Sequence, residues 1–92
     1  MIVRISGEGQ YRLPDEDAAR LNELDNDAVA AAEAGDESRF ADLWRQMLEL
    51  VASHGEAVPD DELVESDVIL PPRDVEFAEA QSEFTGEGLI PD

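Results

Sequence analysis

The sequence predicts an α+β fold that is mainly helical, made of an N-terminal β-hairpin, a helical hairpin and a short third helix. Three observations lead there. Two short β-prone runs flank the turn-forming tetrapeptide Ser6-Gly7-Glu8-Gly9. Apolar residues then recur with helical period through residues 15 to 54, with a break at Gly35. A last apolar group, Val75, Phe77, Ala78 and Phe84, follows the stiff pair Pro71-Pro72.

The hairpin is expected over residues 1 to 13. A strand period of two puts Val3 and Ile5 on one face and Ile2, Arg4 and Ser6 on the other, while Tyr11 and Leu13 share a face opposite Arg12. Pro14 closes the second strand and opens a helix. In that helix Leu21, Leu24, Ala28 and Ala31 form a narrow stripe, and Asp15, Glu16 and Asp17 sit in the first turn, where the helix dipole favours acids. Gly35 supplies the stop and Asp36 an N-cap for a second helix, so short a link making the two helices antiparallel neighbours. The second helix presents Phe40, Leu43, Trp44, Met47, Leu50 and Val51 and ends at His54-Gly55. Residues 56 to 72 read as an acidic loop, whose like charges resist compaction, followed by the extended run Val68-Ile69-Leu70. Asp74 is expected to cap a third helix over residues 74 to 84, and residues 85 to 92 to form a flexible tail carrying the apolar pair Leu89-Ile90.

A chain of 92 residues is expected to form one domain with a small core. It has no cysteine, which fits a reducing compartment, and its first residues lack the apolar stretch of a secretory leader, so a cytoplasmic location is expected. The net charge is −18, from 24 acids against 6 bases, and every base is arginine. Residues 1 to 13 sum to +1 and the remainder to −19. Such a surface repels nucleic-acid phosphates and anionic headgroups alike, so neither direct nucleic-acid binding nor membrane insertion is expected.

No catalytic, cofactor-binding or metal-binding residue is expected. Gly7-Glu8-Gly9-Gln10-Tyr11-Arg12 begins like a dinucleotide loop but has arginine at its sixth position and no helix after it. Asp25-Asn26-Asp27 opens like a calcium loop, yet Val29 and Ala30 stand where a ligand and a glycine belong, so a solvated helix face is expected. His54 is the single histidine, too few for a zinc site, and suits a helix C-terminus. The acids Asp60, Asp61 and Glu62 offer at most weak affinity for a hard cation. What remains is contact with a partner, for which Val68, Ile69, Leu70, Leu89 and Ile90 are candidates because their segments look exposed. Trp44 joins them. Its spacing from Phe40 and Leu43 suits a core, its residue type suits a binding hot spot, and both readings stay open.

The sequence resembles the PspA-associated family, PspAA, found beside phage-shock protein A in archaea and actinobacteria. The resemblance rests on Met1 through Arg12, on Pro59-Asp60-Asp61-Glu62-Leu63 followed by Ser66-Asp67-Val68-Ile69-Leu70-Pro71-Pro72, and on Gly86-Glu87-Gly88-Leu89-Ile90-Pro91. It implies a non-enzymatic accessory to PspA-like helical proteins, which act in membrane stress at the inner face of the cell membrane. Contact with that membrane would be peripheral, through the partner. Two rival readings follow from the acids alone: a DNA mimic occupying a nucleic-acid-binding protein, or a small hydrolase using a carboxylate pair.

The acid excess and the missing lysine also predict a salt-loving host, although GC-rich coding alone would also favour arginine and alanine over lysine. Screening of self-repulsion should raise the thermal midpoint as KCl goes from about 0.1 M to about 2 M. A midpoint that stays flat or falls across that range rules the halophilic reading out.

Overall fold

The computed structural model describes residues 1–84 and Leu89. Strands β1 (Ile2–Ile5) and β2 (Gly9–Arg12) form the antiparallel hairpin, with Val3 opposite Tyr11 and Arg4 opposite Gln10. The pleat sorts the side chains as the alternation predicts: Val3 and Ile5 are buried, Arg4 and Arg12 are exposed.

Helix α1 (Asp15–Glu33) buries the expected stripe and more, since Asp25, Val29 and Ala32 also face inward. It ends in a left-handed residue, Gly35 at φ +72°. There the Asp36 N–H bonds to the Ala31 carbonyl at 2.9 Å and the Gly35 N–H to the Ala32 carbonyl at 3.1 Å, a two-bond cap that satisfies the last carbonyls. The Asp36 carboxylate accepts from the Arg39 N–H at 3.1 Å and starts helix α2 (Glu37–His54). Leu48 takes the buried place expected of Leu50. Leu48 follows Trp44 by one helical turn and so continues the inward row, whereas Leu50 sits half-buried beside Leu24 at the rim of a groove between the helices.

The expected acidic loop is more ordered than its charge suggested. Strand β3 (Glu56–Ala57) pairs with β2, and strand β4 (Val68–Leu70) pairs parallel to β1, giving a sheet of order β3-β2-β1-β4. The chain between β3 and β4 therefore travels from one edge of the sheet to the other. It does so as a strap over the face turned away from the helices.

The third helix, α3 (Phe77–Glu83), starts later than expected, and Asp74 does not cap it. The Val75 N–H is spent on the Pro72 carbonyl at 3.0 Å, which closes a turn, and Glu76 is extended at φ −75° and ψ 149°. Phe84 follows the helix and is fully buried. Its ring meets Phe40 edge to face at 5.0 Å and Trp44 at 5.8 Å, and Phe77 meets Phe40 at 5.6 Å. Each such pair is worth about 0.5 to 1.5 kcal/mol beyond burial. Gln81 adds a tie from α3 to the Ala32 carbonyl of α1 at 3.0 Å. Val3, Ile5, Val68 and Leu70 from the sheet share one core with the buried faces of α1 and α2.

At the end of α2, Gly55 has an ordinary φ of −81° but no room for a Cβ, which would lie 2.4 Å from the Val51 carbonyl oxygen and 3.0 Å from the Tyr11 Cβ. The lower freedom of the unfolded chain alone makes Gly55→Ala favourable by about 0.4 to 1 kcal/mol, since Gly55 is extended at ψ 153° just past the helix. Overpacking against backbone costs about 1 to 3 kcal/mol and wins. Urea unfolding should show Gly55→Ala less stable than the parent; a gain in midpoint would contradict the close approach of α2 to β2.

Candidate functional site

The outer face of the sheet is built by alternation and register. Cross-strand partners share a face, so Arg4, Gln10 and Ile69 form one row, and Ile2, Arg12 and Glu56 the next. The strap is tied to these side chains. Gln10 Nε2 donates to the Ser66 hydroxyl at 2.7 Å and to the Val64 carbonyl at 3.2 Å, and the Arg12 guanidinium pairs with Glu62. At its far end the Asp67 carboxylate accepts the Ile2 N–H at 2.7 Å, while the Asp67 N–H returns to the Ile2 carbonyl at 2.8 Å. Like charges thus sit together here because one arginine and several backbone groups hold them.

Leu63 stands between the two anchored neighbours Glu62 and Val64 and is 97% exposed. Ile69, in the row with Arg4, is 59% exposed. Among the described residues these are the large hydrophobic side chains left in water, and both lie on the strap side of the sheet. Arg4, between Ile69 and Gln10, makes no ion pair with any described residue, and neither does Arg39 on α2, whereas Arg12, Arg20, Arg45 and Arg73 each have an acidic partner.

The six residues singled out from sequence separate under this geometry. Val68 and Leu70 are not exposed as expected: they point inward into the core, because β4 lies in register with Val3 and Ile5. Ile69 between them points out. Trp44 is 6% exposed against Phe84, with its indole N–H donated to the Arg73 carbonyl at 3.3 Å. Leu89 is half-buried against the core, and Ile90 lies outside the described residues. Leu63 and Arg4 are not among those six. Leu63 lies in a charged run, and only the strap's anchoring makes its exposure specific.

Little here assembles as a reaction centre. His54 Nδ1 lies 3.0 Å from the Asp17 carboxylate, so the histidine finds an acid of α1 as well as its helix end. Ser53 lines the same groove as His54 without hydrogen-bonding to it, since successive helix residues point about 100° apart. Among the described residues no three His, Cys, Asp or Glu side chains gather as a metal ion requires. Arg73 and Glu8 form a two-bond pair at 2.9 and 3.1 Å that pins the hairpin turn to the Pro72-Asp74 turn, and this hydrogen bonding raises the Arg73 pKa. Among the described residues no helix is long and apolar enough to cross a membrane.

All 92 residues match the family described as PspA-associated protein, PspAA. The chain belongs to this family. No curated protein and no solved structure matches it. The segments that carry the PspAA resemblance are the ones that bind each other: Ile2 to Asp67, Gln10 to Ser66 and Arg12 to Glu62 each join the opening segment to the later ones. The motif of this PspAA chain is therefore the strapped sheet.

The third PspAA segment reaches the structure through Leu89. Its N–H donates to both carboxylate oxygens of Asp25, at 3.1 and 3.0 Å, and Asp25 makes further interactions as well. Asp25 was expected on a solvated face and is 0% exposed, with Leu21, Leu24, Ala28 and Val29 buried on the same helix. The Leu89 N–H is one of the interactions that let a carboxylate occupy that apolar face. The expected flexible tail is thus held at Leu89, its other residues lying outside the described residues.

Asp25→Ala leaves a donor without its acceptor and should cost about 1 to 3 kcal/mol. The Leu89 amide should then exchange with deuterium much faster, whereas Asp25→Asn, which keeps an acceptor oxygen, should fall between. Unchanged exchange at Leu89 in Asp25→Ala would refute the clamp.

Proposed function

We propose that this chain is a non-catalytic accessory domain that binds a PspA-type membrane-stress protein and adjusts its assembly or its engagement with the membrane. The family match over the whole chain carries the reading. Two physical features support it. The strap side offers exposed apolar side chains on a tied surface, which is what a contact surface needs. The charge of −18 opposes direct adsorption to anionic lipid, so any membrane contact runs through the partner. The setting that fits is the cytoplasmic side of the cell membrane.

Co-purification with the host's PspA homologue tests the proposal, followed by titration calorimetry at an ionic strength of about 0.15 M. A complex in both is the expected result. Failure of both removes the partner, and turnover of a substrate that one side-chain change abolishes would remove the non-catalytic part.

A further inference from the structure

The geometry points to the strap side of the sheet as the docking surface, and to a basic amphipathic helix of the PspA-type partner as its occupant; this rests on the function proposed above. Leu63 and Ile69 are the large hydrophobic side chains that the described residues leave in water, and neither sits on a loose loop. Leu63 is fixed by the Glu62–Arg12 pair on one side and the Gln10–Val64 hydrogen bond on the other, and Ile69 by the pairing of β4 with β1. A backbone so fixed has little loop freedom left to lose on binding.

Spacing selects the helix. Ile69 on β4, Arg4 on β1 and Gln10 on β2 follow one another across the sheet, two strand intervals of about 4.8 Å each, or about 10 Å. Leu63 precedes Val64, whose carbonyl accepts from Gln10, and so belongs to the part of the strap tied to the Gln10 end. A helix laid across the strands meets that interval with apolar residues seven positions apart, since i to i+7 spans about 10.5 Å. The residue midway faces Arg4, which has no ion-pair partner among the described residues and so calls for a carboxylate.

Charge selects the rest of that helix. Asp60, Asp61 and Glu65 are exposed along the strap and form no ion pair with a described residue, so they favour lysine or arginine flanking the apolar positions. The same acids disfavour a second copy of this chain, which brings its own −18 to the contact.

The test is calorimetry between the full chain and the host's full-length PspA homologue. Leu63→Ser and Ile69→Ser should each weaken binding at least about tenfold, and the pair together about a hundredfold, with the melting midpoint of Leu63→Ser unchanged because its side chain is exposed and that of Ile69→Ser lowered only by the poorer strand propensity of serine. Arg4→Glu should also weaken binding about tenfold, and a carboxylate-to-lysine change in the contacting helix should recover it. Hydrogen exchange on the partner should show protection along one basic helix. No binding by the unaltered chain defeats the proposed function and this surface with it. Normal binding by the unaltered chain and undiminished binding by the folded double variant overturn this surface alone. Sedimentation that finds a dimer of the unaltered chain, dissociated in the double variant, assigns the face to a second copy and also overturns it.

Discussion

The parallel pairing of β1 with β4 joins positions as far apart as Ile2 and Asp67, which are 65 residues apart in sequence. Neighbouring parallel strands require a crossover between them, and here the crossover contains the hairpin's return strand, both long helices, β3 and the strap. The register of that pairing decides which side chains meet the core. In place, it buries Val68 and Leu70 beside Val3 and Ile5 and turns Ile69 outward; a slip of one residue would reverse all three. The helices cover one side of the sheet. The only route left for residues 58 to 67 is across the other, and this is why a stretch rich in acids lies against the sheet instead of hanging free.

Charge and packing are divided between the two faces. The inner face is a continuous apolar core closed by the ring contacts of Phe40, Trp44, Phe77 and Phe84. The outer face uses polar links of modest individual worth, because exposed ion pairs such as Arg12–Glu62 are screened by solvent. Their effect is positional. They decide where the strap lies, and so where Leu63 and Asp60 to Glu62 stand in relation to Arg4.

The parts of this arrangement that were legible in the sequence are those written in local pattern. The hairpin turn, the inward Val3 and Ile5, the Gly35 stop, the Asp36 cap and the inward row of Phe40, Leu43, Trp44, Met47 and Val51 each follow from neighbours within a few positions. What was not legible depends on partners far along the chain. Val68-Ile69-Leu70 reads as one apolar run until β1 supplies the register that splits it. Asp25 reads as a solvated acid until the Leu89 N–H comes to it. Asp74 has the residue type of a cap, but the turn closed by Val75 and Pro72 moves the start of the helix past it. The candidate surface suffered most, since the features that define it, Leu63 and Arg4, acquire meaning only when strap and sheet are laid together.

Trp44 is the single tryptophan of the chain, and it touches three separately placed pieces: the Phe84 ring, the Arg73 carbonyl and the apolar row of its own helix. Its indole therefore senses whether the segment after β4 has closed over the helical hairpin. Burial with a hydrogen-bonded N–H gives an emission spectrum distinct from that of an indole in water. The molecule consequently carries a built-in optical reporter, placed where the segment after β4 meets the helical hairpin, and no label is needed to follow that closure in time.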